Sequence, residues 1–217
     1  MGKTALVTGG TTRLGLAIAE RLRSGGWRVL TSSHRAEAGA DVVADLAEPI
    51  GAARLYAETL RLTGGEPPDL IVNNAGLFAQ GEVDAATAAR IECVNFAAAE
   101  KLTILAAGRE AGRGAVVNIL DSRALGGVVD GAYLESKRKL AEYTRRAAAL
   151  FADTLRVNGV APGPVLAPVG FREKAGFTPL GRPTPTAVAE AVSFLAEAEF
   201  TTGCIIAVDG GEGTMAG

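Results

Sequence analysis

The amino-acid sequence predicts an α/β protein built on a single doubly wound parallel sheet, with helices on both faces. Two observations predict it. Short apolar runs alternate with longer segments whose apolar residues recur at helical spacing, from Thr4 through to Val208. The first of these runs, Thr4 to Val7, leads directly into the glycine turn TGGTTRLG and then into Leu14, Ile18 and Leu22 at helical spacing. Alternation of this kind joins parallel strands through right-handed crossovers. The 217 residues show no internal repeat, linker or low-complexity tract and read as one domain over 1–217.

The glycine turn after the first strand points backbone N–H groups and the positive end of a helix at one spot, which suits a pyrophosphate. Gly9, Thr11, Arg13, Leu14 and Gly15 are its candidate cofactor contacts, and Arg13 stands where such turns usually carry a middle glycine. The second strand, Arg28 to Ser32, runs into Ser33-His34-Arg35. An acid at this place suits the ribose 2′-hydroxyl of NAD, whereas an arginine suits the 2′-phosphate of NADP. No acid is there, so Ser33, His34 and Arg35, with Arg13, read as a site for NADP(H).

A third strand, DVVAD, ends at Asp45-Leu46, placed to meet an adenine edge. A helix from Ala52 to Leu62 and the turn GGEPPD lead to a fourth strand, Leu70 to Val72, which opens into Asn73-Asn74-Ala75-Gly76. Small residues and paired asparagines cap and turn a chain, and they also let a flat ring approach the backbone, so Asn74, Ala75 and Gly76 are further cofactor candidates. Phe78, from the residues alone, reads as core.

A long helix from Thr87 to Leu105 places Ile91, Val94, Ala98, Leu102 and Leu105 on one side, with Asn95 beside that stripe and in need of a polar partner. The fifth strand, Ala115 to Leu120, delivers Asp121 and Ser122 at its carboxyl end, the edge where open parallel sheets bind ligands. A helix from Gly131 to about Phe151 follows. The sixth strand, Leu155 to Val160, ends in Ala161-Pro162-Gly163-Pro164, of which Pro162 and Gly163 are cofactor candidates. Val165 to Thr178 has no clear period and reads as a substrate lid, in all about 165–180. A last helix begins after Thr186, and a last strand, Cys204 to Val208, closes in Asp209-Gly210-Gly211.

The chemistry centres on the helix that starts near Gly131. Tyr133 and Lys137 stand at i and i+4 on one helical face. A phenol with an ordinary pKa of about 10 is a poor acid or base at neutral pH, and a nearby ammonium favours the phenolate and lowers that pKa. The pair therefore reads as an acid/base catalyst.

Bulk composition fits a folded domain with a sizeable core: 48% of residues are hydrophobic, 21% are charged, and the formal net charge is -2, so nothing points to a nucleic-acid or anionic-membrane partner. Lys137-Arg138-Lys139 and Arg145-Arg146 read as a solvated helix face, Lys137 excepted. Cys93 and Cys204 lack metal-ligand spacing and read as buried thiols, and no metal site is expected. No signal peptide precedes the first strand and no apolar run reaches bilayer length, so a soluble, cytoplasmic protein with a small-molecule substrate is expected.

TGGTTRLG, NNAG, Asn95, Tyr133-x-x-x-Lys137, VNGVAPGPV and TTGCIIAVDGG occur in order over essentially the whole chain, and together they resemble the short-chain dehydrogenase/reductase family. That resemblance implies a Rossmann-type fold with NADP(H). It gives Tyr133 the proton transfer, Lys137 the nicotinamide ribose and the lowering of the tyrosine pKa, and Asn95 a water-linked proton relay. Most members carry a serine where this chain has Asp121, and a glycine where it has Arg13. Both departures are similar to the pteridine reductase branch, which includes dihydromonapterin and dihydrofolate-type reductases. In that branch the arginine of the glycine turn touches both cofactor phosphate and pterin, and an aromatic just past Asn-Asn-Ala stacks on the pterin. Here these are Arg13 and Phe78, so Arg13, Phe78, Asp121 and Tyr133 are the candidate substrate contacts.

The implied reaction is reduction of a C=N bond in a dihydropterin. Two alternatives stay open: reduction of a ketone, with Ser122 in place of Asp121 as the third catalytic residue, and a non-enzymatic NADP(H)-binding sensor. The alanine-rich helix after Lys137 fits the helix-to-helix interface of the homotetramer common in the family, and alanines also pack against a sheet.

Overall fold

In the computed structural model, which describes residues 2–79, 81–110, 113–126, 130–166 and 178–215, the expected sheet has seven parallel strands. They are β1 (Thr4–Thr8), β2 (Arg28–Ser33), β3 (Val42–Val43), β4 (Leu70–Asn73), β5 (Gly114–Ile119), β6 (Leu155–Pro162) and β7 (Ile205–Val208), in the order β3-β2-β1-β4-β5-β6-β7. The order reverses between β1 and β4, and the crevice at their carboxyl ends is where sheets of this topology bind ligands.

Register explains why the strands are continuous apolar runs. Leu6, Ile71, Val116 and Val157 align across β1, β4, β5 and β6 and point to one face, while Val7, Val72 and Val117 align one residue on and point to the other. Both faces are covered. On the first lie α2 (Gly51–Thr63), α4 (Ala98–Ala107) and α5 (Gly131–Leu150), through residues such as Leu55, Leu102 and Leu140. On the second lie α1 (Arg13–Ser24) and α6 (Pro185–Glu197), through Ile18, Leu22, Val188, Val192 and Leu195. Each wholly buried Leu or Ile contributes about 1.5–3 kcal/mol of hydrophobic stabilisation.

One polar chain crosses the first core. Asn73 Nδ2 donates to Asn118 Oδ1 at 2.8 Å, Asn118 Nδ2 to Thr144 Oγ1 at 2.9 Å, and Thr144 Oγ1 to the Leu140 carbonyl at 2.7 Å. This ties β4, β5 and α5 in a fixed register. Among the described residues Asn73 Oδ1 is the buried side-chain polar atom that lacks a partner.

The structure departs from the sequence expectations at several places. The helix expected over Thr87–Leu105 starts earlier, as α3 (Ala85–Glu92), because the Asp84 side chain accepts from Thr87 N. It passes through a π-turn at Cys93–Ala97 before continuing as α4. The third strand is two residues long, since the Asp41 carboxylate turns to accept from Thr31 N and Thr31 Oγ1. Pro185 begins α6 two residues before the expected start, capped by Thr184 Oγ1, which accepts from Ala187 N.

Cys93 and Cys204 are half-buried free thiols, not buried ones: Cys93 lies in the π-turn and Cys204 leads into β7, an edge strand whose residues remain partly exposed. Most of the expected lid, 167–177, lies outside the described residues. Arg138, Lys139, Arg145 and Arg146 are exposed, as the pattern predicts, while Lys137 is buried. Ala141, Ala147 and Ala148 of α5 pack into the first core. Among the described residues no helix is long and apolar enough to cross a membrane.

Candidate active site

Helix α5 starts at Gly131, whose φ of 81° places it in the left-handed region that glycine tolerates. The turn that follows aims Tyr133 and Lys137 at the carboxyl end of β5. Tyr133 Oη donates to Asp121 Oδ2 at 3.2 Å, and Lys137 Nζ donates to the Ile119 carbonyl at 2.8 Å. Lys137 is only 4% exposed, and burial lowers its pKa to about 8 against a smaller opposing pull from the Asp121 carboxylate. Its Nζ stands 6.0 Å from the Tyr133 ring centre. The sequence expectation was that Lys137 would lower the tyrosine pKa; in this structure burial, then the Asp121 charge, pushes the phenol up, and Arg123 opposes them. These effects favour the protonated phenol.

A short 3₁₀ turn at Ser122–Ala124 decides which side chain meets Tyr133. Asp121 caps this turn: its Oδ1 accepts from Arg123 N at 3.0 Å and from Arg123 Nε at 3.0 Å, and its Oδ2 accepts from Arg123 Nη2 at 2.7 Å. Ser122 is carried the other way, where its Oγ stands 3.5 Å from Glu212 Oε2. Phe78 is not core. It is 38% exposed, and its ring packs edge-on to Tyr133 with centres 4.9 Å apart.

Asn95 sits in the π-turn and finds the partners that its burial requires. Its Oδ1 accepts from Leu77 N at 2.7 Å, and its Nδ2 donates to Leu77 O and to Ser136 Oγ, each at 3.0 Å. Ser136 in turn donates to the Tyr133 carbonyl. The loop after β4 is thus clamped to α5. A Cβ on Gly76 would approach Asn95 Oδ1 and Lys137 Nζ, so the backbone there runs close over both.

The glycine turn is held by close backbone approach. A Cβ on Gly15 would run into the Gly9 carbonyl and Asn74 Nδ2. Asn74 Nδ2 donates to Thr8 O at 2.9 Å and Gly9 O at 3.3 Å, while Thr8 Oγ1 accepts from Asn74 N and Ala75 N, each at 2.9 Å. Arg13 has a φ of 53°, the one left-handed non-glycine among the described residues. At the start of α1, Thr12 makes no side-chain cap bond and the first turn holds no acid, which leaves the positive helix end to an external anion.

A family model described as "Enoyl-(Acyl carrier protein) reductase" matches residues 11–212. Galactitol 2-dehydrogenase (L-tagatose-forming) of Cereibacter sphaeroides is 32% identical, over 97% of this chain and 94% of the relative. The NADP-dependent (R)-specific alcohol dehydrogenase of Lentilactobacillus kefiri is 30% identical, over 97% and 96%. A solved structure described as a short chain dehydrogenase/reductase family protein superposes with a TM-score of 0.87 at 33% identity, covering 98% of both chains. The chain belongs to the short-chain dehydrogenase/reductase family.

Members of this family are oxidoreductases that bind a nicotinamide cofactor, and the residues of this chain fit one. The glycine turn offers an uncapped helix start at the switch point of the sheet. His34 and Arg35 are exposed just beyond β2, and Ser33 Oγ braces them by accepting from Arg35 N at 3.1 Å. Asp45 Oδ1 accepts from Ala47 N at 2.9 Å, and Oδ2 lies 3.8 Å from Arg90 Nη2. Leu46 turns its side chain into the first core, so only its backbone is left to face a ligand. Pro162 ends β6, and Gly163 packs so tightly on Asp209 that a Cβ there would collide with it.

Sequence reasoning overlooked three residues that build this short-chain dehydrogenase/reductase site. Thr8 had a readable signal, as the hydroxyl that closes the first apolar run directly before two glycines. Ser136 had a weaker one, next to Lys137. Arg123 had none, because its role depends on how the turn after Asp121 folds.

Proposed function

We propose that the protein is an NADPH-dependent reductase of a C=N bond in a dihydropterin, with Tyr133 as proton donor and Asp121 as the residue that receives a ring N–H of the substrate. The observation that carries this reading is that a carboxylate, not a hydroxyl, stands 3.2 Å from Tyr133 Oη. A carboxylate accepts hydrogen bonds from a nitrogen-rich, amidine-like ring, whereas a serine would donate to a ketone oxygen. The upward-shifted phenol supports the same direction, because a group that stays protonated serves reduction, in which the acceptor atom gains a proton.

Gly9, Thr11, Leu14, Gly15 and Arg13 at the turn, Ser33, His34 and Arg35 for a 2′-phosphate, Asp45, Leu46, Asn74, Ala75 and Gly76 along the sheet edge, Pro162 and Gly163, and Lys137 for the ribose would hold NADPH, whose chemistry is hydride donation. Arg13 and Phe78 would meet the pterin. Asn95 would support proton resupply from solvent. The proposal includes a cytoplasmic homotetramer. Exposed Ile104 of α4 and Leu150 of α5 are apolar residues that such an assembly would cover.

The relatives favour a second reading: their names are those of alcohol and sugar dehydrogenases, which supports a carbonyl substrate. NADPH oxidation with dihydrobiopterin, dihydromonapterin and dihydrofolate, set beside 3-oxoacyl thioesters, keto sugars and simple ketones, separates the two. Turnover of pterins is expected, with Asp121→Ser losing it. Turnover of ketones alone, retained or raised by Asp121→Ser, would replace the pterin reading. In either case Tyr133→Phe is expected to lower turnover at least about a hundredfold with NADPH binding intact.

A further inference from the structure

Asp121 is held by more than its neighbour across the site. Four donors converge on its carboxylate: Arg123 N and Nε on Oδ1, and Arg123 Nη2 and Tyr133 Oη on Oδ2. Three of the four belong to one residue two positions along the chain. In the proposed reaction Tyr133 Oη turns its proton to the substrate, and the Oδ2 position it leaves is the one a ring N–H takes. The guanidinium is about half exposed and the carboxylate largely buried, 51% against 11% of their side chains. This pairing is bidentate, the geometry that fixes both the position and the plane of a carboxylate.

We infer that Arg123 is a positioning residue for the reaction: its fork holds the Asp121 carboxylate in the rotamer that meets Tyr133 and cancels its charge. The inference rests on the proposed role of Asp121. Without the Arg123 side chain, the buried anion would keep only the residue-123 backbone N–H on Oδ1 and Tyr133 Oη on Oδ2, and its plane would no longer be fixed by a fork. Its Oδ2 would be free to turn away, as Ser122 does toward Glu212 on the other side of the same turn.

Among the described residues, the charged or titratable groups disposed around the pair are Tyr133 and Lys137 from α5 and Glu212 from the C-terminal 3₁₀ turn. The Glu212 charge adds a small further stabilisation of the Arg123 guanidinium. Lys137 is committed to the Ile119 carbonyl and makes no hydrogen bond to the carboxylate, so it does not substitute for the guanidinium.

The pair also explains how a carboxylate can occupy a place that most of the family gives to a serine. Asp121 and Arg123 together are net neutral. The acceptor atom of a substrate therefore meets an oriented dipole, and negative charge developing there is not repelled by an isolated anion.

The test is a cycle of Arg123→Ala, Asp121→Asn and the double variant, with Arg123→Lys beside them. Turnover is followed by NADPH oxidation with dihydrobiopterin, or with the ketone that the substrate panel identifies if pterins are not reduced. Arg123→Ala is expected to lower kcat about 10- to 100-fold, as loss of catalytic alignment does, with NADPH affinity within about twofold of the parent. Arg123→Lys should regain part of the loss. Guanidinium ion at concentrations well below denaturing should restore Arg123→Ala but not Asp121→Asn. The double variant should be no slower than Asp121→Asn alone, since both changes remove one unit.

A crystal structure of Arg123→Ala is expected to show the carboxylate turned off Tyr133 Oη, a readout that needs no substrate. Full kcat in Arg123→Ala, losses that multiply in the double variant, or a carboxylate still in place without Arg123 would each overturn the inference. Turnover unaffected by Asp121→Asn would sink the proposed role of Asp121 itself and the inference with it. Ketone turnover combined with a non-additive cycle would remove the pterin and leave Arg123 standing.

Discussion

Two turns at the carboxyl edge of the sheet bring functional groups together by opposite means. The turn after β1 is made of backbone: Gly9 and Gly15 approach so closely that neither tolerates much beside it, and the side chains of Thr8 and Asn74 pin it. The turn after β5 is made of side chains: Asp121, Arg123 and Tyr133 hold one another, and Lys137 reaches past them to the Ile119 carbonyl. A site built on backbone fails when atoms are added. A site built on side chains keeps its fold when they change and loses its chemistry.

The sharpest break should come at Gly15→Ala. The new Cβ has in its way the Gly9 carbonyl, a backbone atom, and Asn74 Nδ2, a side-chain end held by the Thr8 and Gly9 carbonyls. A loss of about 1–3 kcal/mol in urea denaturation is expected, together with abolished NADPH binding by fluorescence titration. Near-parent stability with full binding would mean that the two turns are not built differently.

Lys137→Met tests the other side of the comparison. Burial holds the folded-state pKa at about 8, below the ordinary 10.5, so the fold bears the full cost of the buried ammonium below pH 8. That cost is relieved as pH rises from 8 to 10.5, where the lysine is neutral when folded and still largely charged when unfolded. The methionine variant should lose turnover yet match or exceed the parent's stability at pH 7, by up to about 1–3 kcal/mol, the gain falling because its ammonium no longer needs burying. Denaturation curves at pH 7 and pH 10 read this directly: the gap should narrow at the higher pH, and a gap that widens would contradict it.

The smallest effect is expected at Arg13→Gly, which sharpens the comparison from within the first turn. Left-handed backbone costs a non-glycine residue about 1–2 kcal/mol, and the added freedom of glycine in the unfolded chain offsets part of the relief. A net stabilisation of at most about 1 kcal/mol should accompany weaker NADPH binding. Unchanged binding would take Arg13 out of the cofactor site.

The fold was legible because it rests on local signals. Alternating apolar runs, the glycine turn at 8–15 and the i, i+4 pair Tyr133 and Lys137 are all visible over a few residues. What stayed hidden depended on contacts between distant segments. Whether Asp121 or Ser122 faces Tyr133 is set by a 3₁₀ turn whose outer hydroxyl meets Glu212, ninety positions on. The direction of the Tyr133 shift follows from burial, which no spacing reveals. From the residues alone Phe78 reads as core, and only the resemblance puts it with the substrate contacts; the loop that carries it is clamped by Asn95, and its ring stands part-exposed against Tyr133.

The π-turn that carries Asn95 has a further consequence. Such a turn holds more chain than an α-helix needs for the same advance, so α3 and α4 are out of phase with each other by design of the sequence. Removing one residue between Cys93 and Ala97 would yield a more regular helix. It would also rotate one half against the other by about 100°, swinging Leu102 and Ala106 off the sheet or Asn95 off Leu77. Length in this helix is therefore under stricter constraint than composition: substitutions can be absorbed one at a time, whereas a single deletion forces a choice between the core and the site.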